Sequence, residues 1–169
     1  EPAFNYLKVA TVNDNQVDLR HLIDASGGVT AISFEKMNSA GVFEEIAEIP
    51  ATSNNLTFTD TEVDVNKYSY SYRARIIDSC GRPGSVSNIA KTILLTIQKD
   101  DIRMLNYLNW NDYIDFDGSI LGYNLYRGID GVFNGPVYAT RTDSQRSFED
   151  DLNTVTFTGK VCYYVEAIE

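Results

Sequence analysis

The side chains that could do chemistry are densest in the stretch NWNDYIDFDGS at 109–119, which holds Asp112, Asp115 and Asp117. Closely spaced carboxylates are ligands that Ca²⁺ prefers, and D-F-D-G matches part of a calcium-binding loop. The remaining ligand positions of the EF-hand pattern are missing. Asp and Gly are also common in turns for backbone reasons. The stretch therefore predicts a solvated turn, and a weak calcium site at these three aspartates is the alternative.

The residue types needed for other catalytic chemistry are scarce in this chain. It contains one histidine, His21, so a nucleophile–base pair with histidine has a single candidate. Neither a G-x-S-x-G motif nor a Gly-rich phosphate loop is present. The two cysteines, Cys80 and Cys162, have neither metal-site nor Cys-x-x-Cys spacing. These observations predict a protein that is not an enzyme and has no cofactor, apart from the weak calcium alternative.

The charge and hydropathy of the chain exclude several classes of partner. The net charge is −10 and the isoelectric point is about 4.5, which disfavours nucleic acid and anionic membrane surfaces. The longest apolar run, 89–97, is interrupted by Lys91 and is too short to insert into a membrane. The chain starts without Met and stops in mid-pattern at Glu169. We therefore expect a fragment whose partners include neighbouring domains of the same polypeptide.

An internal repeat organises the whole chain. The tripeptide Gly-Val-Phe occurs at 41–43 and again at 131–133, and neighbouring features recur at offsets of 89 to 93 residues. The aligned pairs are His21 with Trp110, Lys36 with Arg127, Phe58 with Phe148, Asp60 with Asp150, and Ala74 with Ala167. The repeat predicts two modules, at 1–97 and 98–169.

The repeating unit has the pattern of a β-sandwich. Period-two alternation of Tyr, Val, Ile, Thr and Phe predicts seven short strands in the first module, with turn residues between them. They lie near 6–12, 16–23, 30–37, 43–48, 55–59, 67–77 and 87–97. The same alternation assigns six residues to the two cores, namely His21, Tyr68, Tyr70, Tyr72, Trp110 and Tyr163.

Several of these motifs together resemble fibronectin type III domains. They are an aromatic residue on the second strand, Tyr-Arg on the third, F-x-D before the sixth, and a closing Y-x-Y-x-A at 70–74. The segment IIDSCGRPGSVSNIAKTILLTI at 76–97 is similar to the junction between tandem modules in secreted Bacteroidota surface proteins, of the gliding-motility and type IX secretion group. LNWNDYIDFDGSILGYNLYR at 108–127 and VCYYVEA at 161–167 fit the second module of such pairs. The resemblance implies an all-β chain of two tandem fibronectin type III-like sandwiches in an extracellular or cell-surface location.

The sequence departs from this pattern in two places. In the first module, His21 stands where Trp is usual. In the second module, the chain ends where the sixth strand ends, so we expect the last strand of that module to be absent. Loss of order, truncation and a strand supplied by another chain stay open as explanations. Cys162 would then face away from the core beside the absent strand. Since cysteines in consecutive modules are expected to lie too far apart to bond, we expect Cys80 and Cys162 to be free thiols.

The expected function is non-catalytic and structural or adhesive. The pair of modules would act as a spacer in a larger surface or secreted protein, or present an adhesion surface. The alternative is a glycan- or protein-binding accessory module of a secreted hydrolase, which predicts a cluster of exposed aromatic residues. The tyrosines that the core pattern leaves for such a cluster are Tyr107, Tyr113, Tyr126, Tyr138 and Tyr164.

Overall fold

The computed structural model describes residues 2–114, 119–133, 135–153 and 155–168. The chain is all-β in this part, as expected. Its strands are β1 (Asn5–Asn13), β2 (Gln16–Ile23), β3 (Val29–Met37), β4 (Phe43–Pro50), β5 (Asn55–Asp60), β6 (Ser71–Asp78), β7 (Pro83–Val86), β8 (Ala90–Lys91), β9 (Leu95–Asp100), β10 (Leu105–Trp110), β11 (Gly122–Ile129), β12 (Ala139–Thr142), β13 (Ser147–Asp151) and β14 (Val161–Ile168). Within the described ranges, no helix has the length and hydrophobicity that crossing a membrane requires.

The first compact unit, unit 1, extends to Thr92 and includes Tyr113 and Ile114. One of its sheets has the strand order β1-β2-β5, and the other has the order β4-β3-β6-β7, with β8 also paired to β6. All of these pairings are antiparallel. The two sheets pack face to face, since Phe34 of β3 stacks on Phe58 of β5 with ring centroids 5.3 Å apart.

Alternation in the sequence produces the core of unit 1. Along β2, the residues Val17, Leu19, His21 and Ile23 are buried, and the residues between them are less buried. Successive side chains of a strand point to opposite faces, so such a strand presents one apolar face to the interior. Burying each large apolar side chain contributes about 1.5–3 kcal/mol to folding.

The second unit, unit 2, runs from Ile93 to Asp112 and continues from Ser119. Its sheets have the orders β13-β10-β9 and β12-β11-β14. Trp110 of β10 contacts Tyr123 of β11 with ring centroids 5.7 Å apart, which joins the two sheets. In the part of unit 2 that the structure describes, no strand pairs with the edge of β14 opposite β11.

The segment 87–97, predicted as one strand closing the first module, is divided between the two units. Ser87 Oγ accepts a hydrogen bond from the Ala74 amide at 2.9 Å, and the Asn88 side chain bonds both backbone groups of Leu7. These side-chain bonds replace ladder bonds, so strand pairing resumes only at β8. Leu95 begins β9, which pairs with β10 of unit 2. The boundary between the two units along the chain lies between Thr92 and Ile93, five residues before the expected boundary at 97/98.

The repeated Gly-Val-Phe begins with a glycine that ends a turn in both units. Gly41 has φ of 79° and Gly131 has φ of 85°, which is a left-handed conformation that favours glycine. In unit 2, Asp130 also has a positive φ, and Ile129 and Val132 exchange two backbone hydrogen bonds across the pair. Asp-Gly with positive φ at both positions is the two-residue turn that suits the twist of a hairpin. This turn folds Val132 and Phe133 back along β11.

His21 and Trp110 occupy equivalent core positions, as the repeat predicted. His21 on β2 is fully buried, and Trp110 on β10 is 5% exposed. His21 Nε2 lies 2.8 Å from Asn5 Oδ1, so Nε2 carries the proton and donates it to that oxygen. His21 Nδ1 has no partner among the described residues. Burial lowers the pKa of His21 from 6.5 to about 4, because a second ring proton would be buried without an acceptor.

We expect acid to destabilise the protein through His21. Between pH 6.5 and pH 4 the unfolded chain binds a proton at this site and the folded chain does not, so stability falls as the pH falls. The pKa difference corresponds to about 3 kcal/mol in the free energy of unfolding, present above pH 6.5 and lost by about pH 4. Urea unfolding at pH 7 and pH 4.5 measures it. His21→Gln keeps a donor toward Asn5 without titrating, so its stability should depend less on pH, and equal slopes for both proteins would contradict the assignment.

Candidate functional site

A buried carboxylate joins the two sheets of unit 1. Asp60 at the end of β5 is 3% exposed, and its Oδ2 accepts hydrogen bonds from Lys36 Nζ on β3 at 2.8 Å and from the Tyr72 hydroxyl on β6 at 2.9 Å. Lys36 Nζ also donates to the Glu62 carbonyl at 2.9 Å. Because β5 belongs to one sheet and β3 and β6 belong to the other, this carboxylate cluster connects the sheets through the core.

The same carboxylate cluster recurs in unit 2 with two further members, Tyr138 and Asn106. Asp150 on β13 is fully buried and accepts hydrogen bonds from Arg127 Nη1 at 2.8 Å and from the hydroxyls of Tyr138 and Tyr163, both at 2.6 Å. Asn106 Nδ2 donates to the Tyr163 hydroxyl at 2.8 Å. The Arg127 guanidinium also lies over the Tyr138 ring, 3.8 Å from its centroid. Here too the carboxylate comes from one sheet and the cation and phenol come from the other.

The structure corrects the register of the repeat at its last strand. The sequence alignment placed Ala74 opposite Ala167, which sets Tyr70 opposite Tyr163. In the sheets, Lys36 pairs with Tyr72 and Arg127 pairs with Tyr163. Tyr72 and Tyr163 are therefore equivalent, at the same offset of 91 residues that relates Lys36 to Arg127. That shared offset of 91 residues is the sequence signal from which the cluster could have been predicted.

The phenols of both clusters remain hydrogen-bond donors at neutral pH. Burial, together with the adjacent Asp60, raises the pKa of Tyr72, and burial and the bond to Asp150 raise the pKa of Tyr163. Burial and the same carboxylate raise the pKa of Tyr138 to about 12. A general acid or base works best with a pKa near the operating pH, and the raised pKa values of these three tyrosines lie far above neutral pH. The arrangement fits a structural connection rather than proton transfer.

Ion pairs cover the outward face of the β4-β3-β6-β7 sheet of unit 1. Glu35 on β3 is 7% exposed and accepts hydrogen bonds from Arg75 Nε at 2.6 Å and from Arg73 Nε. Burial alone would raise the pKa of Glu35, but the two arginines outweigh it and lower the pKa below its usual value. The Arg73 guanidinium also covers the ring of Phe43, at 4.2 Å from its centroid. The Gly-Val-Phe phenylalanine of unit 1 is thus covered by a cation that is itself paired.

The equivalent face of unit 2 carries aromatic rings instead. Tyr126 on β11 pairs with Tyr164 on β14, and their rings stack with centroids 4.3 Å apart and planes at 13°. Phe133, after the Asp-Gly turn, lies 5.2 Å from the Tyr164 ring with planes at 57°. The Tyr126 hydroxyl donates to Glu166 Oε2 at 2.8 Å. Tyr126, Phe133 and Tyr164 are called the aromatic platform below.

Gly128 allows the platform to lie close to the sheet. A Cβ atom at this position would stand 3.0 Å from three carbons of the Phe133 ring. Equal distances to several ring atoms place one face of the Phe133 ring against the backbone of β11, so its other face points away from the sheet. Phe133 is 43% exposed and Tyr164 is 44% exposed.

An open pocket of about 370 Å³ lies near the cluster of unit 2. Its walls are mainly Ile129, Val132, Pro136 and Val137. The charged residue that lines it is Arg127, whose guanidinium is already bound to Asp150 and Tyr138. The pocket therefore offers apolar surface without an unengaged charge.

Comparisons with known proteins give partial similarity to solved structures. No protein-family model matches the chain, and no curated protein matches it. A pectate lyase, Pel3 from Pectobacterium carotovorum, is 26% identical over 52% of this chain and 26% of that chain, with a TM-score of 0.42. An Fn3-like protein from Clostridium thermocellum is 23% identical over 54% of this chain and 91% of that chain, with a TM-score of 0.42. The chicken CNTN1 FN1-FN3 domains are 9% identical over 99% of this chain and 59% of that chain, with a TM-score of 0.37.

These TM-scores are too low to support a statement about function. The fold is established by the strand order of the chain itself. Each unit places its first, second and fifth strands in one sheet and its fourth, third and sixth strands in the other. Both sheets are antiparallel and enclose one core. Both units are fibronectin type III-like β-sandwiches.

The predicted core residues of these fibronectin type III-like units differ in burial. Tyr72 is fully buried, and Tyr70 and Tyr163 are half-buried. Tyr68 is 60% exposed, so its assignment to the core was wrong. Strand β6 begins only at Ser71, because the Tyr70 amide bonds Thr92 Oγ1 and the Tyr70 hydroxyl accepts from the Asp64 amide. The alternation read from the sequence started before the strand did.

The predicted calcium ligands are only partly described. Asp112 forms an ion pair with Arg146, so its carboxylate has a protein partner. Asp115 and Asp117 lie outside the described residues. Within the described ranges, the acidic, histidine and cysteine side chains form no group of three that could hold a metal ion. Calcium binding in this loop therefore stays a prediction.

The two cysteines are free thiols in the described parts of both fibronectin type III-like units. Cys80 is exposed in the turn after β6, where its amide donates to Asp78 Oδ1. Cys162 is half-buried on β14 and pairs in register with Gly128.

We expect removal of the Asp150 carboxylate to destabilise unit 2 strongly. Asp150→Ala leaves the Arg127 guanidinium, 18% exposed, without its ion-pair partner, and breaking a buried pair costs about 3–5 kcal/mol. Hydrogen exchange of the β14 amides measures the loss locally. Asp60→Ala should have the same effect on the β6 amides of unit 1. Glu149→Ala, an exposed carboxylate on the same strand as Asp150, is the control, and an equal effect of both substitutions would contradict the assignment.

Proposed function

We propose that the chain is a non-catalytic pair of fibronectin type III-like modules from a larger cell-surface or secreted protein. It spaces neighbouring domains of that polypeptide or presents an adhesive surface. One observation carries this proposal. In both units, the carboxylate, cation and phenol of the buried carboxylate cluster are bonded to one another.

A structural role explains why the carboxylate cluster is present twice. An enzyme needs one reactive centre that substrate can reach, whereas Asp60 and Asp150 are buried to 3% and 0% exposure. Each connects the two sheets of its own unit, which is a function that every module of a tandem array needs. The acidic composition adds support, because a net charge of −10 favours solubility over binding to nucleic acid or anionic lipid.

The finer assignment to a secreted Bacteroidota surface protein, of the gliding-motility and type IX secretion kind, is also part of the proposal. It is supported by the junction motif at 76–97 and by the second-module motifs at 108–127 and 161–167. The alternative, a binding module that accompanies a secreted hydrolase, is favoured by a different observation. That observation is the exposed aromatic platform of unit 2.

An activity assay tests the non-catalytic assignment. We expect incubation with neutral and acidic polysaccharides, peptides and aryl esters to release no product above a buffer control, as measured by mass spectrometry. Tyr138→Phe removes one hydroxyl of the cluster and leaves the Arg127–Asp150 ion pair in place, so this variant should retain the fold. Saturable product formation by the native chain that this variant loses would overturn the proposal.

A display assay tests the spacer assignment. The chain is inserted between a membrane anchor and a reporter epitope, and binding of antibody-coated beads to the cells is counted. A Gly/Ser linker of the same number of residues is the control, because it forms a flexible coil. We expect more beads to bind with the folded modules than with the linker. Equal binding would contradict a spacer role.

A further inference from the structure

We propose that the aromatic platform of unit 2 binds a neutral carbohydrate, with the pyranose ring stacked on the outward face of Phe133. This inference rests on the proposed function, since it names the ligand class of the surface that the module pair would present. The occupant is a hexose unit of a glycan chain.

Comparison of the two units shows that the fold does not require these rings. At an offset of 91 residues, Tyr126 corresponds to Glu35, and Tyr164 corresponds to Arg73. In unit 1 these positions hold an ion pair, and the sheet forms equally well. The stacked tyrosines of unit 2 are therefore not required to form the sandwich.

The same comparison shows that the platform lacks the cover found in unit 1. Phe43 and Phe133 are the equivalent Gly-Val-Phe residues. The Arg73 guanidinium lies over Phe43 at 4.2 Å and occupies its ring face. In unit 2, Tyr164 stands at the position of Arg73 and meets Phe133 at 57°, so it forms a wall beside the ring rather than a cover. In the part of unit 2 that the structure describes, no cation lies over the Phe133 ring, which is 43% exposed.

The polar groups beside the platform suit sugar hydroxyls. Glu166 lies on the same outward face and already accepts the Tyr126 hydroxyl at 2.8 Å, and a carboxylate can accept further hydrogen bonds. Asn124, which pairs in register with Glu166, adds an amide donor and acceptor at the same edge. An aromatic ring face can meet the C–H face of a pyranose, and a carboxylate at the Tyr126 edge of the platform can accept hydroxyl protons, so the platform is complementary to a carbohydrate.

The charge at the rim decides between neutral and acidic sugars. Glu166 is the equivalent of Arg75 in unit 1, so unit 2 carries a negative group where unit 1 carries a positive one. The chain as a whole has a net charge of −10. A uronic acid would meet repulsion at this rim, whereas a neutral hexose would not.

The experiment titrates the full chain with neutral oligosaccharides, namely cello-, manno- and galacto-oligosaccharides, and with oligogalacturonate. Chemical shifts of the backbone amides are followed by NMR, with EDTA present so that calcium has no part in the result. We expect saturable shifts confined to β11, β14 and the turn at 130–133 with at least one neutral series. Oligogalacturonate should bind at least tenfold more weakly.

Matched variants place the ligand on the platform. Phe133→Ala should weaken binding at least tenfold, and Phe43→Ala, the same change at the equivalent position of unit 1, should leave it unchanged. The triple variant Tyr126→Glu, Tyr164→Arg and Glu166→Arg installs the ion pair of unit 1, with both of its arginines, over Phe133 and should abolish binding. Because the fold already uses that pair in unit 1, this variant is expected to remain folded, which its amide spectrum checks.

Three outcomes would overturn the inference. They are the absence of shifts with every neutral series at millimolar concentration, shifts confined to unit 1, and binding that Phe133→Ala leaves unchanged. Tighter binding of oligogalacturonate would overturn the preference for neutral sugars. None of these outcomes touches the non-catalytic assignment, which fails only if the chain turns over a substrate.

Discussion

The bond from a buried aspartate in one sheet to a cation and a tyrosine in the other is the interaction on which each unit depends. Asp60 and Asp150 each fix three strands relative to one another, because a charge-assisted hydrogen bond tolerates little displacement. Apolar packing alone permits several registers, whereas a carboxylate left without its cation in the core costs several kcal/mol. We therefore infer that the cluster favours one register of the sandwich.

The two units share this interior and differ on their outward surfaces. Glu35 with Arg73 in unit 1, and Tyr126 with Tyr164 in unit 2, occupy equivalent places on the same sheet. The interior is constrained by packing and by the need to satisfy buried polar groups. The outward face is less constrained, since it holds ion pairs in unit 1 and aromatic rings in unit 2, so it is the part of a repeated module that can acquire a separate role.

Much of the fold was predictable from local patterns, and the errors have physical causes. Alternation located the strands, and the repeated Gly-Val-Phe located turns with positive φ at Gly41 and Gly131. Tyr68 was assigned to the core because alternation continues beyond the start of β6. The segment 87–97 reads as one apolar strand, but the side chains of Ser87 and Asn88 take backbone partners and interrupt it. A side chain that bonds a backbone group in place of a neighbouring strand produces no periodic pattern in the sequence, so alternation could not predict the interruption.

The sequence by itself determined the fold class, the duplication, the core role of His21 and Trp110, and the scarcity of catalytic residue types. These follow from periodicity and composition, which are local properties of the chain. Only the tertiary structure decided that Tyr72 is the counterpart of Tyr163, that Asp60 and Asp150 each connect two sheets, and that Phe133 lies beside Tyr164 with one face outward. Those facts depend on which strands pair and in which register. Alternation and turns narrow the register, but which residues face each other on strands far apart in the chain is decided only when those strands pair.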